Sequence, residues 1–325
     1  MKVAVTGAAG FVGLNLIDRL VTEGHEVVAI DRVRSERLPA GVEQVTGDVL
    51  DPASMTRALD GAEIVYHLVA MITLDQENAL AWQINTEGVR TVAEAAREVG
   101  VRRFVHCSSV HSFDQYTCGG RLDETSARSE GSSVPVYDRS KWAGEIELRK
   151  VIDAGLDAVV CNPTGIYGPV DYGLSRLNGL LRDAARGRVP AAIEGGFDFV
   201  DVRDVAAGLM AAADRGRTGE NYLLTGEMVT ILDVMRLAAQ CSGRRGPLFA
   251  FPLSVINVIM PVAEKIGAAL GSDVMSRAAM GSLLAAPAVD GSKARAELGY
   301  SSRPVADSVR DLVGFLVTSG QLATR

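Results

Sequence analysis

Short apolar runs alternate with segments of helical periodicity along the first half of the chain, and this alternation restricts the fold more than any other feature. The predicted strands are Val3–Thr6, Val27–Asp31, Glu43–Thr46, Ile64–Leu68, Phe104–Cys107 and Ala158–Cys161, and the predicted helices are Phe11–Glu23, Pro52–Leu59, Asn78–Val99 and Tyr137–Ala154. Two parallel strands can be joined only by a crossover, which is usually a helix. The alternation therefore predicts an α/β protein with a doubly wound parallel sheet of the Rossmann type.

The pattern loosens after the sixth predicted strand, where a loop precedes a predicted helix at Leu174–Arg186. A strand at Val200–Val202 and a helix at Asp204–Ala213 predict a return to the sheet. We therefore expect a sheet domain over residues 1–165, re-entered at about 191–218, and a smaller helix-rich domain over 166–190 and 219–325. A chain of 325 residues is long enough for such a division.

Charge and cysteine content exclude several classes of function. The chain has 33 Lys and Arg against 40 Asp and Glu, a net charge of −7, and 5% aromatic residues. A nucleic-acid binder neutralises phosphates and often stacks bases on aromatic rings, so we expect no nucleic-acid partner. The cysteines Cys107, Cys118, Cys161 and Cys241 lie far apart, which predicts neither a disulfide framework nor a metal site. Free thiols are typical of the cytoplasm, where we expect the protein.

Neither a signal segment nor a membrane span is predicted. The chain begins with a short strand pattern instead of a long apolar segment. The longest uncharged apolar region, Pro247–Ala263, has 17 residues and is interrupted by Pro252 and Pro261, whereas a span needs about 20 apolar residues. A buried or lid helix is the simpler interpretation, and peripheral membrane contact stays open.

Three glycines, Gly7, Gly10 and Gly13, lie between the first predicted strand and the first predicted helix. Glycines at this point permit a tight turn and let a pyrophosphate approach the backbone at the positive end of the helix. The segment TGAAGFVG therefore predicts a dinucleotide-binding loop, and the sheet domain becomes the candidate NAD(P)-binding domain. The other loop residues assigned to the cofactor are Ala9, Phe11 and Val12.

Asp31 ends the second predicted strand, 18 residues after Gly13. A carboxylate there can accept hydrogen bonds from the adenosine ribose hydroxyls and repels a 2′-phosphate, which favours NAD over NADP. Arg32 follows at once and could pair with such a phosphate, so NADP stays an alternative. Asp48, followed by Val49 in the segment GDV, is interpreted as a hydrogen-bond acceptor for the adenine amino group or as a plain turn former.

Tyr137 and Lys141 lie four residues apart and thus on one face of a predicted helix. A phenol with a pKa of about 10 is a poor acid or base at neutral pH, and a neighbouring ammonium stabilises the phenolate. Ser108 and Ser109 follow the strand that ends at Cys107. A hydroxyl at this edge of an open sheet would meet the tyrosine where ligands bind, across a nicotinamide.

With these features the chain resembles the extended short-chain dehydrogenase/reductase superfamily, or NAD-dependent epimerase/dehydratase family. Its dihydroflavonol-4-reductase-like and 3β-hydroxysteroid-dehydrogenase-like branch is the most similar. Besides the loop, the serine pair and Tyr-x-x-x-Lys, the motifs are GDV (47–49), HLVA (67–70), NTEG (85–88), NPTGIYGP (162–169), DVRDVAAG (201–208) and DGSKARAELGY (290–300).

The resemblance implies roles for particular residues. Ser109 would polarise the substrate oxygen, Tyr137 would transfer the proton, and Lys141 would also hold the nicotinamide ribose. Ser108 is the alternative if the register is shifted by one residue. The cofactor contacts assigned in addition are Leu68, Val69, Ala70, Asn85, Pro163, Gly165 and Ile166. For Asn85, a structural hydrogen bond to the neighbouring strand is the simpler interpretation.

Departures from the family pattern restrict which branch of the family the chain resembles. Dehydratases of this superfamily carry Asp-Glu next to the catalytic hydroxyl, whereas Val110 and His111 follow Ser109 here. Nucleotide-sugar epimerases usually bring an arginine to the diphosphate at the position of Phe197, and an apolar residue would bind a diphosphate poorly. Asn162, by contrast, fits the epimerase pattern. The predicted substrate contacts are His111, Asn162 and Phe197.

We therefore expect an NAD(P)-dependent oxidoreductase that interconverts a secondary alcohol and a ketone on a small to medium, fairly apolar substrate. A nucleotide-sugar epimerase is the alternative enzyme, and an NAD(P)-binding regulator or assembly factor is the non-enzymatic alternative. The resemblance implies a homodimer through the helices predicted at Asn78–Val99 and Tyr137–Ala154. The apolar stretch from Pro247 suits a hydrophobic substrate if it lines the pocket, and buried core is its simpler interpretation.

Overall fold

The computed structural model describes residues 1–252 and 286–323 of the chain. Its strands are β1 (Lys2–Thr6), β2 (Glu26–Asp31), β3 (Glu43–Thr46), β4 (Ile64–His67), β5 (Arg103–Cys107), β6 (Arg121–Leu122), β7 (Ala158–Pro163), β8 (Gly165–Tyr167), β9 (Ala192–Ile193), β10 (Gly196–Asp201), β11 (Asn221–Leu224), β12 (Glu227–Thr230), β13 (Ala250–Phe251) and β14 (Ala288–Val289). Its helices are α1 (Phe11–Thr22), α2 (Pro52–Leu59), α3 (Ala79–Glu98), α4 (Val136–Asp153), α5 (Arg176–Ala185), α6 (Val202–Arg215), α7 (Ile231–Cys241) and α8 (Val305–Thr318).

Seven parallel strands form the central sheet in the order β11-β7-β5-β4-β1-β2-β3. Helices α2, α3 and α4 pack on one face, and α1 and α6 pack on the other. Val5 of β1 belongs to one core and its neighbour Ala4 to the other, because successive side chains of a strand point to opposite faces. The predicted fold, a doubly wound parallel sheet of the Rossmann type, is confirmed.

The crevice for a ligand lies where the strand order reverses, between β1 and β4. On one side of this point the chain continues to β2 and β3, and on the other side to β5, β7 and β11. The connections therefore leave the carboxyl ends of β1 and β4 in opposite directions and open a gap above the sheet. Both the glycine loop after β1 and the serine pair after β5 lie at this edge.

The smaller part of the chain has a separate hydrophobic core. Strands β8, β10 and β12 form a three-stranded sheet, on which α5, α7 and α8 pack. Leu181, Met235 and Leu312, one from each helix, are buried in this core. Among the described residues no helix is long and apolar enough to cross a membrane. Most of the predicted apolar stretch Pro247–Ala263 lies outside the described residues.

The return to the central sheet differs from the prediction for residues 191–218. Helix α6 does pack on the central sheet, but β10 pairs with β8 and β12 in the smaller sheet. The strand that joins the central sheet is β11, beyond the predicted boundary, where Tyr222 lies opposite Cys161 of β7. All four residues of β11 are buried, whereas the first three of β10 are half-buried, which suits a small sheet near the surface.

Helices α3 and α4 approach closely at Gly144. A Cβ atom added there would lie 2.2 Å from the backbone carbonyl oxygen of Asn85. Glycine permits this approach, which also brings the Asn85 Nδ2 within 2.9 Å of the Ser140 Oγ. The spacing of the two helices fixes the height of α4 above the sheet and thus the position of its catalytic candidates.

Gly144→Ala should destabilise the protein by about 1–3 kcal/mol, because the added methyl group forces the two helices apart. The control is Gly314→Ala in α8, where a Cβ would have no heavy atom within 4 Å. That substitution should be neutral or stabilise by up to about 1 kcal/mol, since alanine is the better helix former. The midpoints of urea unfolding measure both changes, and equal midpoints for the two variants would contradict the packing argument.

Candidate active site

The loop after β1 has no room for side chains at its glycines. Gly7 has a φ of +76°, in the left-handed region that favours glycine. A Cβ on Gly13 would lie 2.3 Å from the carbonyl oxygen of Gly7, so the loop backbone rests directly on the first turn of α1. Helix α1 begins after Gly10, which makes no side-chain cap. Its first N–H groups are therefore available at the positive end of the helix, and this cradle fits a pyrophosphate.

Asp31 lies beside this loop at the carboxyl end of β2. Its Oδ2 accepts a hydrogen bond of 3.0 Å from the backbone N–H of Ala9. The carboxylate is half-buried, whereas Arg32 is exposed. Asp31 thus has a second role that the sequence did not predict, because it ties the phosphate loop to β2.

The other predicted cofactor residues lie along the same edge of the sheet. Leu68, Val69 and Ala70 follow β4, and the backbone nitrogen of Val69 would be 3.1 Å from a Cβ on Gly7. Asp48 Oδ1 accepts a hydrogen bond of 3.0 Å from the N–H of Leu50, so its role as a turn former is present in the structure. Val49 is buried behind this turn, Pro163 ends β7, and Gly165 and Ile166 lie in β8.

A cavity of about 350 Å³ adjoins the phosphate loop. Ala9, Gly10, Phe11, Arg37 and Tyr172 are among its lining residues, and the Arg37 guanidinium lies 4.3 Å from the centre of the Tyr172 ring. A larger cavity of about 570 Å³, lined by Arg186 and Cys241 among others, contains none of the predicted site residues.

Ser109, Tyr137 and Lys141 come together at the carboxyl end of β5. Lys141 is 2% exposed, and its Nζ donates a hydrogen bond of 3.1 Å to the backbone carbonyl of Cys107. Tyr137 lies one turn earlier in the same helix, close enough to Ser109 for that side chain to lower the Tyr137 pKa. A hydroxyl, a phenol and an amine therefore lie at the same edge of the sheet, and their joint role in catalysis stays a prediction.

The acid–base properties of the pair differ from the expectation. Burial raises the pKa of Tyr137 above its ordinary value, and the hydrogen bond with Ser109 opposes this only in part. Burial also lowers the pKa of Lys141, against the opposing effects of Cys107 and Glu145. In the protein alone, desolvation therefore outweighs the predicted stabilisation of the phenolate by Lys141.

The structure distinguishes the two serines. Ser108 Oγ donates a hydrogen bond of 2.6 Å to Glu145 Oε1, beneath the site. Ser109 is the neighbour of Tyr137, and its Oγ accepts a hydrogen bond of 3.2 Å from the backbone N–H of His111. Adjacent residues of an extended chain point to opposite sides, so only one of the two hydroxyls can face the tyrosine. In the structure that residue is Ser109, and its role in catalysis stays a prediction.

Glu145 lies one helical turn beyond Lys141 and is fully buried. Its carboxylate accepts hydrogen bonds from Ser108 (2.6 Å), Asn162 (2.8 Å), Asn221 (2.9 Å) and Arg128 (3.2 Å). A buried carboxylate is tolerated only when it is paired and hydrogen-bonded in this way. The contacts fasten the ends of β5, β7 and β11 to α4. Glu145 was not among the predicted site residues, although its spacing of four residues from Lys141 places it on the same helix face.

Two predicted ligand contacts are corrected by the structure. The Asn162 side chain is fully buried, where Nδ2 donates to the carbonyl of Ser109 (3.0 Å) and Oδ1 accepts from Asn221 (2.8 Å). Asn85 exchanges hydrogen bonds with the backbone of Met71, at 2.8 Å to its N–H and 3.0 Å to its carbonyl. Partners inside the protein use the polar atoms of both amides, so Asn162 does not offer its side chain to a substrate, nor Asn85 to the cofactor.

His111 lies at the mouth of the site, with 31% of its side chain exposed. Its ring packs edge-on against the Tyr137 ring, with 5.5 Å between the ring centres. Its Nδ1 is 3.0 Å from Oδ1 of Asp138, a buried residue that the sequence analysis did not assign. Burial lowers the pKa of His111, but the charge and hydrogen bond of Asp138 together outweigh burial and leave that pKa raised.

Phe197 lies on β10, where its half-buried ring packs against the core of the smaller domain. The centre of its ring is 6.2 Å from that of Phe199. The position predicted for a diphosphate-binding arginine is therefore part of an apolar surface. Contact between Phe197 and a substrate stays a prediction.

A Rossmann-type sheet with a glycine cradle, and a serine, tyrosine and lysine at the adjoining strand end, defines an NAD-dependent enzyme of the short-chain dehydrogenase/reductase type. A model of the NAD dependent epimerase/dehydratase family matches residues 3–225. The chain belongs to this family, whose members include oxidoreductases and epimerases. The predicted family, enzyme class and cofactor NAD are confirmed.

Curated relatives match over most of the chain. Sterol demethylase protein B of Methylococcus capsulatus is 35% identical over 256 residues, which cover 78% of each protein. A dihydroflavonol 4-reductase-like protein of Synechocystis is 29% identical over 99% of this chain and 96% of its own. A 3 beta-hydroxysteroid dehydrogenase/Delta 5-->4-isomerase of Mycobacterium tuberculosis is 27% identical over 92% of this chain and 85% of its own.

Solved structures agree with the fold. The crystal structure of gox2253 superimposes with a TM-score of 0.84 at 30% identity and covers 99% of both chains. The UDP-glucose 4-epimerase of Thermotoga maritima, solved with UDP-glucose, has a TM-score of 0.80 at 21% identity and covers 98% of this chain and 99% of its own. At that identity the second likeness concerns the fold alone.

Asp31→Asn should weaken NADH binding about 10- to 100-fold, because a charge-assisted hydrogen bond to the loop contributes about 1.5–3 kcal/mol. The loss should be smaller for NADPH, since removal of the carboxylate also removes its repulsion of a 2′-phosphate. Titrations followed by nicotinamide fluorescence measure both constants. The control is Asp18→Asn, the same change of charge at an exposed position of α1, which should leave both constants unaltered. Equal losses for both cofactors would contradict the role of Asp31 in cofactor choice.

Proposed function

We propose that the protein catalyses net, NAD-dependent interconversion of a secondary alcohol and a ketone on an apolar, ring-bearing substrate. The observation that carries the proposal is the meeting of Ser109, Tyr137 and Lys141 beside the crevice where the cofactor cradle lies. Proton transfer to and from a hydroxyl needs a positioned acid–base group, whereas a protein that only binds the cofactor has no need of all three side chains.

In the oxidation direction, the side chains of Ser109 and Tyr137 hold the substrate hydroxyl, and Tyr137 accepts its proton. Lys141 lies one helical turn from Tyr137 and, by the family resemblance, binds the nicotinamide ribose. NAD, when bound, supplies the hydride acceptor and, in its oxidised form, a positive charge that favours the phenolate. Burial raises the pKa of Tyr137, so the phenol is a strong base once it has lost its proton. Reduction of a ketone uses the same groups in reverse.

Two observations favour net redox chemistry over epimerisation of a nucleotide sugar. The ring of Phe197 occupies the position at which such epimerases usually carry an arginine for the diphosphate, and it packs on an apolar core. The side chain of Asn162, the residue that fitted the epimerase pattern, is committed to contacts inside the protein. Asn162 was the residue that best fitted the epimerase alternative, so that alternative loses its main support.

The names of the relatives support an apolar substrate. Sterols and hydroxysteroids, on which two of the relatives act by name, are large ring systems with few polar groups. In this chain Leu248 and Phe249, which are 74% and 50% exposed, form an apolar surface next to the smaller domain's strand β13. Exposure of such an apolar surface to water is unfavourable in free energy, and contact with an apolar ligand or with another apolar surface would cover it.

The test is to incubate the protein with NAD and either 5α-androstan-3β-ol, an apolar cyclic secondary alcohol, or UDP-glucose. Absorbance at 340 nm should rise with the steroid alcohol and persist, because net oxidation leaves NADH in solution. Formation of UDP-galactose without lasting NADH would instead identify an epimerase. Tight NADH binding with no turnover of either compound would identify a binding protein without catalysis.

In the same assay, Tyr137→Phe and Ser109→Ala should each lower kcat by about 10²- to 10⁴-fold, since each removes a group that handles the proton. Ser108→Ala should lower kcat far less and act on stability instead, because that hydroxyl bonds to Glu145. Near-normal turnover in Tyr137→Phe, or equal losses in the two serine variants, would overturn the assigned mechanism. Thermal unfolding of each variant separates loss of activity from loss of fold.

We also propose that the protein is a cytoplasmic homodimer. All four cysteines are free thiols, which suits a reducing compartment.

Leu80 and Trp82 of α3 are 48% and 41% exposed, and Ile146 of α4 is 37% exposed, so the outer side of this helix pair is partly apolar. Light scattering should give twice the chain mass of 34.4 kDa, and Trp82→Glu should lower that mass. A monomer mass for the unaltered protein would contradict the dimer.

A further inference from the structure

We propose that the cavity of about 570 Å³ in the smaller domain is a second ligand site, which binds a phosphate monoester carrying an apolar group. The inference goes beyond the proposed function and does not depend on it, because none of the residues assigned to the cofactor or to hydride transfer lines this cavity. Its volume lies within the range of about 300–1,000 Å³ that is typical of small-molecule sites.

Two arginines reach this cavity through the same local structure. Helices α5, α7 and α8 all end at the cavity. A glycine in the left-handed conformation follows the last turn of α5 and of α7, and both Gly187 and Gly243 have a φ of +68°. The next residue is an arginine in each case, and Arg188 and Arg244 both line the cavity. A Cβ on Gly187 would lie 3.4 Å from the Arg244 Cβ, so the two turns are in contact.

A third arginine, Arg186, also lines the cavity and is held by the protein itself. Its Nη2 donates a hydrogen bond of 2.8 Å to the backbone carbonyl of Gln321, and its Nη1 lies 3.4 Å from Asp183 Oδ1. The guanidinium groups of Arg188 and Arg244 differ from it, since neither has a hydrogen-bond or ion-pair partner among the residues that the structure describes. Two positive charges at one cavity are therefore left for a ligand.

The positive charge at the cavity exceeds what the helix ends require. The carboxyl end of a helix amounts to roughly half a negative charge, so the three ends together attract about 1.5 positive charges, fewer than the three arginines supply. Asp183 pairs with Arg182 as well as with Arg186, so this group keeps a positive charge. No Asp or Glu is among the described lining residues. Because the whole chain has a net charge of −7, the attraction for an anion is local to this cavity.

The lining also indicates the chemical class of the ligand. An arginine presents planar paired donors that suit phosphate oxygens, and a phosphate monoester carries close to two negative charges at neutral pH. Two unpaired guanidinium groups match such a dianion better than a single carboxylate. The rest of the lining includes the apolar residues Ala185, Val313 and Leu322, which are buried in the core of the smaller domain. Contact with these residues favours a hydrocarbon group on the phosphate.

The experiment is equilibrium dialysis of the full chain against octyl phosphate below its micelle concentration, with the bound ligand measured by mass spectrometry. Saturating NADH is present, so that the probe cannot occupy the phosphate loop after β1. The matched probes are octanoate, octanol and inorganic phosphate. Octyl phosphate should bind most tightly. Octanol, which lacks the charge, and inorganic phosphate, which lacks the chain, should each bind about 10-fold more weakly or worse.

Arg188→Gln and Arg244→Gln should each weaken the binding of octyl phosphate about 10-fold, the low end for a charge-assisted hydrogen bond, because water reaches this cavity. The control is Arg57→Gln, the same change of charge at an exposed position of α2 in the sheet domain, which should leave binding unaltered. Thermal unfolding verifies that each variant is folded. Fluorescence of bound NADH should be the same in all three variants, since the cavity is separate from the cofactor loop.

Binding of octyl phosphate that persists in NADH and weakens in both cavity variants, but not in Arg57→Gln, supports the assignment. Absence of binding would overturn it, as would equal affinities in the cavity variants and the unaltered protein. Displacement of the probe by NADH would place it in the cofactor loop and also overturn the inference. Octanol or inorganic phosphate binding as tightly as octyl phosphate would contradict the proposed ligand class. Turnover of the steroid alcohol tests the proposed function separately from all of these results.

Discussion

The buried carboxylate of Glu145 is the interaction on which the geometry of the site depends. It joins the ends of three strands of the central sheet to helix α4, through Ser108, Asn162 and Asn221. The same helix carries the amine of the site one turn before Glu145 and the phenol two turns before it. Asn162 extends the network to the backbone carbonyl of Ser109. A charge in the interior is expensive to leave unpaired, so this arrangement resists the small displacements that would separate the reacting groups.

Much of the fold could be predicted because it depends on local patterns. Runs such as VAV in β1, followed by a glycine loop and a helix, specify a strand, a turn and a crossover without knowledge of distant residues. The return to the sheet could not be located in the same way. Strand β11 has four residues, and its partner β7 lies about 60 positions earlier in sequence, as in the pairing of Asn221 with Val160. The apolar run YLL between Gly219 and Thr225 was its one local signal.

The residues of the candidate site, like the elements of the fold, could be predicted only where local patterns specify them. The spacing of Tyr137 and Lys141 and the position of Ser109 follow from helix and strand geometry, so they were accessible from the sequence. The contacts of polar residues at strand ends could not be predicted in this way, because the sequence pattern does not reveal whether an amide faces a ligand or another residue. Asn162 faces Asn221, which is 59 positions away, and was wrongly assigned to the substrate. The partnership of His111 with Asp138, 27 positions apart, was hidden for the same reason.

Strand β11 follows three strands outside the central sheet in the sequence, and this order has a consequence for biosynthesis. A nascent chain that has emerged only as far as the end of α6 has six strands of the sheet, a bare edge on β7 and an Asn162 Oδ1 that lacks its Asn221 partner. The sheet can be completed only when residues 221–224 have left the ribosome, after the chain has already passed through β8, β9, β10 and the first helix of the smaller domain. Segments of the central sheet and of the smaller sheet are therefore synthesised in alternation. Neither sheet can be completed before synthesis of the other has begun.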